Sequence, residues 1–271
     1  MPDKKFFHYV ALLWLSCLLV YEIIYIIYST KFRFRFWWYR RQGREDEVEA
    51  IISDFVGKWG KRTMAKLSCD VEISGTEHLP AEGPVIIMTN HQSLYDIPLY
   101  LSYFGRVMGF VAKQELFRIP GWGYWMKEIR CVSIDRADAR STMQIYQTLG
   151  EDLKRNGRGF IVFPEGTRTR DPGGTIGPFR PGALRLATMH GIPILPVSID
   201  GTRFLSKGGP LCRTWRGGRM VRVKIAPLIH PQARSSLERQ KLLEQVRGTI
   251  VSNFESIKLE WPYRPVEQAA D

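Results

Sequence analysis

From residue 71 onward, short apolar runs alternate with helical ones, and this alternation restricts the fold more than any other feature of the chain. Runs at 85–88, 107–112, 131–134, 159–163, 194–199 and 221–226 have the length of strands. Segments 97–104, 122–128, 139–156, 181–190 and 235–258 read as helices between or after them. Strands separated by helices pair through crossovers, and crossovers give parallel neighbours. The expected fold class is therefore α/β, a mostly parallel twisted sheet flanked by helices. Ligands of such sheets bind beyond the carboxyl ends of the strands, so the residues just after each strand are the ones that bear on function.

The region before residue 71 reads differently. Residues 6–28, FFHYVALLWLSCLLVYEIIYIIY, are apolar apart from His8 and Glu22. As a helix they extend about 34 Å, enough to cross a hydrocarbon core. Lys31, Arg33, Arg35, Arg40, Arg41 and Arg44 follow, interleaved with Phe32, Phe34, Phe36, Trp37, Trp38 and Tyr39. That mixture suits a headgroup layer. Glu22 is costly at depth, so an interfacial helix stays open beside a spanning one. If the helix spans, the positive flank places the main domain on the cytoplasmic side of the membrane. Residues 46–67 form an amphipathic pattern with two placements, on the bilayer or packed on the domain. The expected division is an N-terminal membrane-anchoring segment, 1–70, and a main domain, 71–271.

The net charge of +12 calls for an anionic partner. Nucleic acid has no helix-turn-helix, RNP or zinc-finger signature to support it, and the basic residues gather beside an apolar anchor, so membrane lipid is the expected partner. The four cysteines, Cys17, Cys69, Cys131 and Cys212, lie far apart with no C-x-x-C pair, which leaves neither a disulfide framework nor a metal site to expect.

After strand 85–88 comes Thr89-Asn90-His91-Gln92-Ser93-Leu94-Tyr95-Asp96-Ile97-Pro98. Five residues apart on one helix, His91 and Asp96 would point about 140° away from each other. A turn between them lets them meet, and Asp96 before Ile97-Pro98 looks like an N-cap with proline in the first turn. A carboxylate so held can fix the imidazole tautomer and leave the other nitrogen as a base. Taken alone, the pair equally fits a helix cap beside a loop histidine. Other strand ends add to it. Strand 159–163 is followed by Glu165, Gly166 and Arg168, strand 131–134 by Arg136, and strand 107–112 by Lys113. Gly166 permits a positive φ, and arginine offers a forked donor that matches phosphate. Together these residues describe one sheet edge with a base and several cations, fitted to a phosphorylated substrate that carries a hydroxyl.

The same segments resemble the ordered motifs of the glycerolipid acyltransferases, in the 1-acylglycerol-3-phosphate acyltransferase branch, over about residues 71–230. Asn90–Asp96 is similar to the first motif, Val132–Arg136 to the second, Phe163–Arg168 to the third and Ile192–Val197 to the fourth. Lys113-Gln114-Glu115-Leu116 resembles the lysine-containing stretch between the first two. Cys131 stands where the second motif often begins with glycine. The resemblance implies an acyl thioester donor, acyl-CoA or acyl-carrier protein, as co-substrate, and a lysophosphatidic acid acceptor. It implies His91 as general base, Asp96 as its orienting partner and Lys113 near the reaction centre. It places Arg136, Glu165, Gly166 and Arg168 at the acceptor phosphate. No cofactor and no metal are expected. With no G-x-S-x-G and no cysteine in the motifs, direct attack without an acyl-enzyme is expected. Other acceptors (another lysophospholipid, glycerol 3-phosphate, an amino-acid lipid) and a non-catalytic lipid-binding role stay open.

Two further stretches bear on where substrates rest. Leu116, Phe117, Ile119, Trp122, Tyr124, Trp125 and Met126 serve either as core or as a groove for acyl chains. Residues 201–229 hold seven Lys/Arg and no Asp or Glu, including Arg213, Arg216 and Arg219. That run faces anionic lipid, an acidic carrier protein or the phosphates of coenzyme A.

Overall fold

The computed structural model describes residues 30–67, 69–119, 121–134, 138–169, 174–205, 219–232 and 235–259. The apolar run 6–28, Arg136, Arg213 and Arg216 lie outside them. Seven strands form one sheet: β1 (Cys69–Ser74), β2 (Val85–Thr89), β3 (Met108–Ala112), β4 (Val132–Ser133), β5 (Gly159–Val162), β6 (Ile194–Asp200) and β7 (Arg219–Ile225), in the order β1-β7-β6-β2-β5-β3-β4. Every pairing is parallel except β6 with β7. The helices are α1 (30–41), α2 (Glu45–Lys66), α3 (Asp96–Tyr103), α4 (Trp122–Glu128), α5 (Ala139–Asn156), α6 (Arg185–His190), α7 (Thr202–Leu205) and α8 (Ser236–Ile257).

The expected α/β architecture is the one observed, and its differences from the sequence reading have local causes. Segment 181–190 opens as a 3-10 turn, Pro181–Leu184, before α6. β4 is only Val132–Ser133, pairing with β3 alone at the sheet's end. β1 carries no apolar run: Cys69–Ser74 alternates half-buried and exposed residues, as an edge strand can.

Central strands are buried on both faces, as parallel strands must be. Ile86, Met88, Phe160 and Val162 point to one face, where they pack with residues of α5, α6 and α8 such as Leu153, Leu186, Val246 and Phe254. Val85, Ile87, Ile161, Leu195 and Val197 point to the other, against Leu99, Tyr100 and Phe104. Two helices on the first face are well capped. The Asp138 side chain accepts from the amides of Arg140 and Ser141 at the start of α5, and Ser235 with Glu238 forms a capping box on α8.

A third layer lies outside α3. Phe36 from α1, Val48, Ile52 and Val56 from α2, Leu101 from α3, and Trp125 and Met126 from α4 form one buried cluster. Residues 46–67 thus pack on the domain. Gly60 makes that packing possible: a Cβ there would strike Ser102 and the Pro98 carbonyl of α3. In the 116–126 stretch, Trp125 and Met126 are core, while Ile119 and Trp122 are exposed. Among the described residues, no helix is long and apolar enough to cross a membrane.

Candidate active site

Register places the chemistry. β2, β5 and β3 are parallel neighbours, with Met88 opposite Val162 and Phe110 opposite Ile161. Three residues further along each chain come His91, Glu165 and Lys113, so all three leave the sheet at the same edge. With strands spaced about 4.8 Å apart, the bases of the His91 and Lys113 segments stand about 10 Å apart.

β2 stops pairing through its backbone at Thr89, and Asn90 continues the ladder with its side chain. Its Nδ2 donates to the Ile199 carbonyl (2.8 Å), and its Oδ1 accepts from the Ile199 amide (2.9 Å). A carboxamide presents the same donor and acceptor as a peptide group, so the main chain can turn out of the sheet here without leaving β6 unpaired. His91 is the first residue past that point.

His91 Nδ1 lies 2.6 Å from Asp96 Oδ2. In the neutral ring a carboxylate at this distance selects the tautomer with its proton on Nδ1, which leaves the lone pair on Nε2. The ring stacks on Phe163, with centroids 3.9 Å apart, which fixes its plane. Asp96 is fully buried while the His91 side chain is 18% exposed, so the base reaches solvent and its partner does not. The same Asp96 oxygen accepts from the amides of Gln92 (2.8 Å) and Ser93 (3.1 Å). Asp96 is thus the first residue of α3 and not its N-cap, a position held by Tyr95. Its carboxylate turns back to tie the loop between itself and His91, which is the turn that brings the pair together. Tyr100, one turn on in α3, is fully buried. Burial pushes its phenol well above the ordinary range, and the charge of Asp96 adds to the effect.

Glu165, expected at the acceptor phosphate, is buried. Its Oε1 accepts from the His91 amide (3.1 Å) and its Oε2 from the Gly177 amide (2.9 Å). Accepting from both loops, it works as a bracket that joins the histidine loop to the loop after β5. Three more bonds close the bracket: the Thr169 amide to the His91 carbonyl (2.7 Å), the Arg180 amide to the Pro164 carbonyl (2.9 Å) and Arg180 Nε to the Glu165 carbonyl (3.2 Å). Gly166 has φ 68°, the left-handed turn expected of it. Arg168 and Lys113 are exposed, with no side-chain hydrogen bond or ion pair among the described residues. Arg136, the third expected cation, falls outside those residues.

Sequence reasoning missed the floor of the site. At the end of β6 and just beyond it, Asp200, Thr202 and Arg203 are buried beneath the histidine loop. Gln92 Nε2 donates to Asp200 Oδ1 (2.8 Å), and the Thr202 hydroxyl donates to Asp96 Oδ1. The available signal was that these residues, too, follow a strand of the same parallel set. The buried Cys131 fills the position where glycine is frequent, and burial pushes its thiol well up.

Comparisons with known proteins bear on the fold and the family. The domain family described as Acyltransferase matches residues 70–200, which run from β1 to the end of β6. A chloroplastic 1-acyl-sn-glycerol-3-phosphate acyltransferase of Brassica napus is 37% identical over 132 residues, 48% of this chain and 37% of that protein. The Pseudomonas aeruginosa protein of that name is 29% identical over 64% of each chain, so this chain spans less than two thirds of both relatives. For the Borreliella burgdorferi protein, also named a 1-acyl-sn-glycerol-3-phosphate acyltransferase, the figures are 30% identity over 69% of this chain and 72% of that one. The crystal structure of the 1-acyl-sn-glycerophosphate acyltransferase PlsC from Thermotoga maritima superposes with a TM-score of 0.68 at 32% identity, over 93% of this chain and 97% of that chain. By sheet, by motif order and by these likenesses, the chain belongs to the acyltransferase family that includes the 1-acyl-sn-glycerol-3-phosphate acyltransferases.

Proposed function

We propose that the chain transfers a fatty acyl group from acyl-CoA or acyl-carrier protein to the sn-2 hydroxyl of lysophosphatidic acid, giving phosphatidic acid. The observation that carries this reading is His91, held through Nδ1 by buried Asp96, with Nε2 free at an edge that bears Lys113 and Arg168. The names of the relatives support the acceptor.

In the proposed reaction, Nε2 takes the proton of the acceptor hydroxyl as its oxygen attacks the thioester carbonyl. A tetrahedral oxyanion forms and collapses, the C–S bond breaks, and the imidazolium returns its proton to the leaving thiolate. Asp96 faces the imidazolium while it lasts, as a carboxylate does in a hydrolase triad. Arg168 and Lys113, joined by Arg136, hold the acceptor phosphate and so fix the hydroxyl near Nε2. Glu165 and Gly166 shape the loop that carries Arg168. The thioester is already activated, so the reaction draws on no cofactor or metal beyond its co-substrate.

Residues 6–28 and α1 would seat the protein on the membrane, with the catalytic domain on the cytoplasmic side. The exposure of Phe34 (66%), Trp37 (47%) and Trp38 (50%) beside Arg33, Arg35 and Arg41 supports a headgroup-level position for α1.

The test is phosphatidic acid formation by purified protein given lysophosphatidic acid and either donor, followed by mass spectrometry. His91→Ala should lower kcat about 100- to 10,000-fold. Arg168→Ala should raise the KM for lysophosphatidic acid about tenfold, through loss of a charge-assisted contact. A folded wild type that acylates no lysophosphatidic acid with either donor ends this reading.

A further inference from the structure

Asp96 has two oxygens with unlike surroundings. Oδ2 takes three donors, His91 Nδ1 and the amides of Gln92 and Ser93, all from its own loop. Oδ1 takes the hydroxyl of Thr202, more than a hundred residues further along the chain. That hydroxyl is the one contact on Asp96 that comes from another strand's end among the described residues. It fixes the rotation of the carboxylate about its Cβ–Cγ bond.

The Thr202 hydroxyl is itself held in place. Gly201 turns the chain out of β6 with φ 108°, and a side chain there would strike the Met220 carbonyl of β7. Behind it, fully buried Asp200 clamps three segments at once. Its Oδ1 accepts from Gln92 Nε2 (2.8 Å) and lies 2.7 Å from the Arg203 guanidinium, and its Oδ2 accepts from the Leu259 amide (2.6 Å). The Gln92 Oε1 left by that orientation lies 3.3 Å from the Thr202 oxygen, so the hydroxyl has a charged acceptor at Asp96 and a weaker neutral one at Gln92.

We propose that Thr202 is a positioning residue for the reaction: it orients Asp96, and through Asp96 the imidazole of His91, while Asp200 locks Thr202 and Gln92 to the C-terminal end of α8. The inference rests on the acyl-transfer reading above. A hydrogen bond to a charged group converts to a factor of about 10–100, so Thr202→Val should lower kcat by that much and leave the KM for lysophosphatidic acid within about twofold. Thr202→Ser, which restores the hydroxyl, should recover most of the rate. Should Thr202→Val fail to fold, Thr202→Ala against Thr202→Ser makes the same comparison, since those two differ by one hydroxyl.

Phosphatidic acid formation is measured for wild type and variants side by side, with thermal unfolding as the folding control. A lowered kcat with unchanged KM, rescued by serine, supports the proposal. An active wild type with equal rates in the folded valine and serine variants, or in the alanine and serine pair, overturns it while leaving the acyl-transfer reading intact. An inactive wild type overturns that reading, and this inference with it.

Discussion

Replacing Glu165 with glutamine separates two tasks that a motif glutamate can have. In the structure its oxygens accept from the His91 amide at 3.1 Å and the Gly177 amide at 2.9 Å, and the residue is 6% exposed. Glutamine has one oxygen, so whichever way its amide turns, an NH₂ group confronts one of those two backbone donors. The cost joins the loss of a bond to a charged acceptor, about 1.5–3 kcal/mol, to that of a buried N–H left unpaired, about 1–3 kcal/mol. Allowing for overlap between the two, roughly 2–4 kcal/mol of bracket stability is removed. That is smaller than the 5–15 kcal/mol typical of a whole domain, so Glu165→Gln should fold, with an unfolding temperature lowered by roughly 5–15 °C. At about 1.4 kcal/mol per factor of ten, the assembled His91 loop becomes roughly 30- to 1,000-fold less populated against its loosened form. The expected assay result is a large fall in kcat with the KM for lysophosphatidic acid changed less than about threefold. A raised KM with an unchanged kcat would refute the bracket and return Glu165 to the substrate. A variant with wild-type kinetics would show that the loop holds without it.

Asp96→Ala removes the carboxylate that accepts from the Gln92 and Ser93 amides and the Thr202 hydroxyl, so it should cost about 3–4 kcal/mol of stability in denaturant unfolding, whereas Asp96→Asn should keep most of the fold and still lose about 1,000-fold in kcat. Gly60→Ala should lower the unfolding temperature by an amount equivalent to about 1–3 kcal/mol, since the added methyl meets α3; an unfolding temperature that rises, as a helix freed from the domain would give, contradicts the packing of α2. Burial raises the thiol pKa of Cys131, so peptide mapping at pH 8 should find it alkylated far more slowly in folded protein than in urea; equal labelling in both would place it at the surface.

Much of the architecture was legible because parallel central strands must be apolar on both faces. Each of the runs at 85–88, 159–163 and 194–199 lies within one or two residues of an observed strand. β1 escaped because an edge strand is exposed on alternate residues, and Val71 with Ile73 is too short an apolar signal to separate from a loop. The His91–Asp96 pair could be read from the need for a turn between them, but the way the turn is held could not. Asp96 resembles a cap in sequence, yet its acceptors face backward to Gln92 and Ser93. Glu165 shows the same limit from the other side. A motif places it at the correct strand end, and only the positions of the His91 and Gly177 amides reveal the bracket it forms. Thr202 and Asp200 were hidden because their partners are more than a hundred residues away in the chain.

The single reversal of direction in the sheet has a consequence for how such a chain can change. β6 ends at the edge where His91 emerges, and β7, antiparallel to it, starts from that same edge, as the pairing of Asp200 with Arg222 requires. The end of β6 and the start of β7 therefore lie on the same, reactive side of the sheet. Two neighbouring strand ends on one side can be joined without a crossover, and each doubling of a loop's length costs only about 0.6 kcal/mol in closure entropy. One antiparallel strand thus brings the chain back into the sheet from the reactive side, where a parallel strand would have required a return across the whole layer.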